Sequence, residues 1–339
     1  MQNIRQVSAV SLLFGAALGA QAQSAPTLYG VVDTGLVSTR IGAQRINAMD
    51  SGIILGSRVG FRGNEDLGGG TQALYTLEIG LNNDTGALGQ GGLGFGRQAF
   101  VGFSNAKFGR LTMGRHYSVL HTTLSAYTEG GLIWGHALNY FRDGSVLRLD
   151  NSLRYESPDF AGLSFKLMKA FGEQPGSAGD VVNPSFDYRH GPWKVGASYM
   201  QRHKTAANTE RYATLGGSYD FGVVSASLAY YTLRDDLPDA TSLARNAYEI
   251  SAGVPLGAHV LWLAYGEAEG KARAETGGRS LSLRYDYLLS KRTRLYTGYS
   301  VILNERNASF TMNSASNAGP AVAAGKRVAQ AIAGVSHSF

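Results

Sequence analysis

The sequence predicts an all-β chain closed into a sixteen-stranded antiparallel barrel that spans a membrane. Three observations carry this. Apolar and polar residues alternate with period two along most of the chain. The segments joining these runs are alternately short and long. After the leader, no stretch reaches about 18 apolar residues without a charge, so a spanning chain must cross with strands, and only a closed barrel then pairs every backbone group in lipid.

Composition narrows the field. The 339 residues include no cysteine, which excludes a disulfide scaffold and any thiolate metal site. Charged residues make up 17%, below the usual content of about 25%. Glycine (45) and tyrosine (18) are abundant and proline (8) is scarce, as in chains of many strands and tight turns. The net charge of +6 comes without any lysine–arginine block, so no nucleic-acid partner is expected.

Residues 1–6 carry Arg5 and no acid, and residues 7–20 are small and apolar. Ala20-Gln21-Ala22 then supplies an A-x-A cleavage pattern. Residues 1–22 therefore read as a signal peptide, leaving residues 23–339 as a single β domain.

From there the strands follow in order. "TLYGVVDTGL" sets Leu28, Gly30, Val32, Thr34 and Leu36 on one face. "SRVGFRG" sets Val59 and Phe61 opposite Arg58 and Arg62. "NSLRYESP" sets Leu153 and Tyr155 opposite Arg154 and Glu156, and "LSLRYDYLL" sets Leu281 and Leu283 opposite Arg284 and Asp286. Such alternation marks strands with two different environments. Seven short turns are expected at residues 65–70, 105–109, 159–162, 190–192, 220–222, 255–258 and 290–293. Eight long polar loops are expected at 39–52, 85–96, 118–149, 172–183, 203–209, 234–244, 267–278 and 304–325. Fifteen connections join sixteen strands. Short periplasmic turns with long extracellular loops describe a bacterial outer-membrane barrel. A soluble β-sandwich also alternates, but nothing divides this chain into sandwich-sized units. The last strand, "KRVAQAIAGVSHSF", puts Ala329, Ala331, Ala333, Val335, His337 and Phe339 on one face, and its alanines suggest a close-packed neighbour.

"TLYGVVDTGL", "SRVGFRGNEDLGGGTQALYTLEIG", "FGRQAFVGFSNAKFGRLTMGRHYS" and "DNSLRYESPDFAGLSF" occur in that order. Together with the C-terminal phenylalanine they resemble the trimeric general porins of Gram-negative outer membranes, in the β-proteobacterial branch. The resemblance covers residues 27–339. It implies a homotrimer in the outer membrane, in contact with lipid and lipopolysaccharide, that passes small hydrophilic solutes. It implies that Phe339 is the signal read by the outer-membrane assembly machinery. It also implies that the third loop, residues 118–149, folds into the lumen and narrows it, and that the second loop reaches over a neighbouring subunit. The third loop departs from the family's pattern. Its acids are Glu129 and Asp143, its bases Arg142 and Arg148, and its centre "TEGGLIWGHALNYFRDG" is apolar and aromatic.

Strand parity, the resemblance and the third loop's bases together select candidates for a basic wall at the constriction, although Arg97 shares parity with Val101 and Phe103. Arg58, Arg97 and Arg154 rank first, followed by Arg115, Arg62 and Arg148. Arg97 fits the family's wall position, and Arg115 needs a bulge or the loop start to point inward. Arginine stays charged at any physiological pH, and its planar fork receives carboxylate and phosphate. A ring of arginines favours anions, so small anionic or neutral solutes are expected. The bland alternative pairs each arginine with a lumen acid, Asp33, Glu78, Asp150 or Glu156. A substrate-specific channel and a structural or adhesion barrel with a plugged lumen stay open as alternatives.

Other signals carry little. "GQGGLG" has dinucleotide-binding spacing but precedes a strand, not the helix the motif requires. The histidines lack metal-site spacing, and no motif places a catalytic triad. No enzyme activity, metal or cofactor is expected.

Overall fold

A computed structural model describes residues 25–339; the expected signal peptide lies outside the described residues. The wall comprises β1 (Thr27–Ile41), β2 in two pieces (Gln44–Ser51 and Arg58–Gly68), β3 (Thr71–Asn82), β4 (Gln98–Asn105), β5 (Gly109–Tyr117), β6 (Arg148–Glu156), β7 (Leu163–Ala170) and β8 (Val181–His190). It continues with β9 (Trp193–Thr205), β10 (Asn208–Asp220), β11 (Ser225–Arg234), β12 (Arg245–Leu256), β13 (His259–Gly270), β14 (Gly278–Leu288), β15 (Thr293–Asn304) and β16 (Val328–Ser338). Each strand pairs antiparallel with the next, and β1 pairs with β16 to close a 16-stranded barrel. Closure leaves no unpaired edge, the condition for crossing lipid with strands. Among the described residues no helix is long and apolar enough to cross a membrane.

Period two is visible in the exposure. Leu28, Leu36, Phe61, Leu281 and Leu283 face outward, while Asp33, Arg284 and Asp286 are buried on the inner face. At the seam, Gly30 and Phe339 exchange both backbone hydrogen bonds at 3.1 Å. The Phe339 ring lies where a Cβ on residue 30 would stand, so Gly30 permits this closure. On β16, Ala331, Ala333, Val335 and His337 are exposed, as is Phe339 just beyond it, whereas Ala329 is buried.

Two expected long loops are tight hairpins. β1 and the first piece of β2 stay paired from Thr34↔Ser51 to Ile41↔Gln44, so residues 39–52 are mostly strand. β9 and β10 pair out to Thr205↔Asn208. Both hairpins carry polar residues on each face, because strands projecting beyond the bilayer need no apolar side. Period two is then lost from the sequence while the ladder persists. The reversal expected at 65–70 is similarly tighter. Glu65 and Asp66 are still in β2, and the chain turns on Gly68, Gly69 and Gly70, all at positive φ. The Asp66 carboxylate accepts the Gly68 N–H at 2.9 Å.

Two segments leave the wall for the lumen. Residues 52–57 interrupt β2 and bury Ile53 and Ile54 completely; the Asp33 carboxylate holds the excursion by accepting the Ile53 N–H at 2.6 Å. Residues 118–147 cross the lumen as two helices, α1 (Val119–Ala126) and α2 (Ala137–Phe141). Ser118 caps α1 by accepting the His121 N–H. α1 leans on β7–β10 and α2 on β12–β14. Their apolar faces, including Leu120, Leu124, Leu138 and Phe141, pack against Met168, Met200, Tyr231 and Ala247 of the inner wall. The unusual apolar content of this loop is the core of the barrel's interior.

Candidate functional site

The third loop is pinned across the lumen by polar groups that the inner wall presents. Glu129 accepts hydrogen bonds from the Ser225 and Ser227 hydroxyls, and its own N–H donates to Ser251. Glu249, buried, faces His136 Nδ1 at 2.7 Å and accepts the Leu138 N–H at 3.0 Å. Trp134 donates to Gln330 at 2.5 Å, and the Tyr127 hydroxyl to Asp187 at 3.0 Å. Asp143 caps a short 3-10 turn, accepts the Tyr212 hydroxyl and lies 3.7 Å from Arg202. Glu129 and Asp143 therefore anchor the loop to the wall and do not face the pore.

What the loop leaves open lies on the side of β2–β6. A cleft of about 300 Å³ is lined there by Arg58, Arg97, Arg142 and Arg148, with Tyr117 and His121 between them and residues 313–318 of the last loop opposite. No carboxylate lines it among the described residues. Glu78 stands behind, 2.7 Å from Arg97 Nε and 3.8 Å from Arg58. Tyr117 organises the cluster: its hydroxyl accepts from Arg97 at 2.5 Å and from Arg148 at 2.8 Å, and the Arg148 guanidinium sits 4.4 Å from its ring centroid. Arg142 donates to Asn139 Oδ1 at 3.2 Å. Asn139 in turn donates to the Asn313 carbonyl at 3.0 Å, joining the third loop to the last.

Arg142 and Arg148 make no ion pair among the described residues. Four guanidiniums thus have one ion-paired carboxylate among them, Glu78, with Asp143 attracting Arg142, and the cleft carries a net positive field in a poorly screened space. Burial pushes the Arg142 pKa down to about 10, so it remains a cation at neutral pH. Burial, then Arg142, Arg148 and Arg97, hold the His121 pKa well below the ordinary histidine value. His121 is therefore neutral at pH 7, stacked on Tyr117 with ring centroids 5.2 Å apart.

The other candidates lie outside the cleft. Arg154 pairs with Glu156 at 2.9 Å and donates to the Tyr117 carbonyl at 3.3 Å. Arg115 pairs with Asp150 and donates to the Gly96 carbonyl, opposite a register shift in β6 where Asn151 takes positive φ. Arg62 lies nearer the short turns, 5.1 Å from the Tyr29 ring. Of the four acids weighed as arginine partners, Glu78, Asp150 and Glu156 do pair. Asp33 instead holds the β2 excursion and accepts the Tyr296 hydroxyl. Tyr117, Asn139 and residues 313–318 complete the cleft without being marked by strand parity. Only Tyr117 left a sequence signal, as an aromatic at the mouth of the third loop.

A closed barrel of this strand number also characterises known proteins. A family model described as Gram-negative porin matches residues 8–307. The chain belongs to this family. This porin is 32% identical to an outer membrane porin protein of Bordetella pertussis, over 85% of this chain and 91% of that one. It is 30% identical to outer membrane porin protein 32 of Delftia acidovorans, over 98% of this chain and 99% of that one. Its fold matches the anion-selective porin from Comamonas acidovorans with a TM-score of 0.79 and 26% identity, over 93% of this chain and 99% of that one. The barrel also resembles an outer membrane protein of Vibrio cholerae solved in a trimer form (TM-score 0.69, 18% identity, 93% and 99% covered), a likeness of fold alone. The porin is thus a passive diffusion pore of a Gram-negative outer membrane.

Proposed function

We propose that this porin prefers anions and that the arginine cleft is its constriction. The observation that carries the reading is the cleft's lining of four arginines and no carboxylate. Such a field lowers the barrier for an anion and raises it for a cation. The structural neighbour from Comamonas acidovorans, itself described as anion-selective, supports the same sign. Reversal potential in a salt gradient across a planar bilayer tests it: an anion-selective sign is expected, and a cation-selective one overturns the reading.

The narrowness of the cleft favours a second reading, a channel that prefers particular small anions. A liposome-swelling series over neutral sugars, amino acids and dicarboxylates separates the two. The assembly we propose is a homotrimer, supported by the small exposed residues Ala331 and Ala333 next to the β1 seam. Cleavage after Ala22 is the corresponding proposal for the leader, and the N-terminal sequence of the exported protein checks it. The reading assigns no catalytic step and no cofactor.

A further inference from the structure

A second basic cavity lies above the cleft, among the loops. It has about 360 Å³ and is bounded by the segments following β11, β13 and β15 together with the end of α2. Arg142, Arg245 and Arg273 line it, and no carboxylate does among the described residues. The three cations are held differently. Arg245 is fixed, donating to the Phe141 carbonyl at 3.1 Å with its guanidinium 5.3 Å from the Phe310 ring. Arg273 is exposed, and its side chain makes no ion pair or hydrogen bond among the described residues. Arg142 keeps a buried Nε with no partner. Arg142 also lines the arginine cleft, as does Asn313, so the two cavities meet across these side chains.

Three guanidiniums around one small space repel one another, and no carboxylate lines that space among the described residues to relieve them. A monovalent anion can bridge few of them. A solute with two or more oxyanion groups can offer each fork its own partner in bidentate geometry. We propose that this outer cavity is a capture station for small solutes bearing two or more carboxylate or phosphate groups, which pass to the constriction across Arg142. The proposal rests on the anion-preferring reading and adds to it a substrate class and an entry side.

Chloride current through the reconstituted porin tests it, with citrate, pyrophosphate or acetate added on the loop side at matched ionic strength. Citrate or pyrophosphate should depress the current at concentrations about tenfold below acetate, and the one that does so names the group recognised. Arg273→Ser should raise the half-blocking concentration about tenfold, as loss of one charge-assisted hydrogen bond implies. Arg273 is the informative position because no backbone depends on its side chain. Arg279→Ser is the control: it removes an outer-wall cation that pairs with Glu267 and should leave the block unchanged. Equal block by acetate, or an unchanged block in Arg273→Ser, overturns the capture station while an anion-selective reversal potential leaves the pore reading intact. A cation-selective reversal potential overturns both.

Discussion

Arg97 shows how one residue in the cleft can serve two ends. It is 2% exposed, its charge is matched by Glu78, and its other edge fixes Tyr117. Arg97→Ala leaves buried Glu78 with only the Tyr29 hydroxyl at 3.0 Å and Arg58 at 3.8 Å, so a loss of about 3 kcal/mol, the low end for a broken buried pair, is expected; a lower temperature for loss of the folded, heat-modifiable gel band would record it. Arg148 has no acid to strand. Arg148→Ser should therefore leave the folded band in place and lower the anion-to-cation permeability ratio severalfold, read from reversal potential. Protonation of His121 should not contribute near neutrality. Because the His121 pKa is depressed in the docked loop, selectivity should stay flat between pH 8 and 6.5. Below about 6.5 an undocked loop takes up the proton first, so docking weakens by up to about 1.4 kcal/mol per pH unit. Rising open-channel noise on acidification, recorded in single-channel traces, would report that.

The third loop is the element that turns a barrel into a restricted pore. Its apolar residues pack on the wall, and its polar latches fix where that packing stops. Glu249 is the most exposed of these latches to failure, because it is buried and holds both His136 and the Leu138 N–H. Glu249→Ala should free the α2 end of the loop. The expected result is a larger and noisier single-channel conductance with the barrel still assembled. The last loop acts with the third through the Asn139–Asn313 contact, and its Asn317 amide donates to Asp50 at 2.6 Å. The pore mouth is thus made by segments far apart in the chain.

At the scale of the whole molecule, stability comes from an unbroken ladder, so the seam is its weak point. Deleting Phe339 removes both backbone hydrogen bonds to Gly30 and the ring that covers it. Slower refolding in detergent, followed by the appearance of the folded gel band, is the expected outcome. The proposed trimer would place a further demand on the outer face near this seam, where Ala331 and Ala333 present little bulk. Ala331→Trp and Ala333→Trp should reduce trimer recovery in size-exclusion chromatography while monomer folding persists.

By itself, the sequence determined the barrel, its strand number and the face of most wall residues, because period-two alternation follows directly from a wall with lipid on one side and water on the other. Parity also marked Arg58, whereas Arg97, which shares parity with the outward Val101 and Phe103, was marked by the family resemblance and Arg148 by its place at the end of the third loop. Where strands project beyond the bilayer, as at residues 44–51, that environment difference vanishes and the alternation with it. Only the tertiary structure decided which arginines share the cleft. Arg154 and Arg115 are wall arginines with acids in reach, whereas Arg142 joins the cleft through the path of a loop that no local period describes. Tyr117, Asn139 and residues 313–318 meet there because packing and latches from both ends of the chain bring them together, and contacts of that range leave no periodic trace in the sequence.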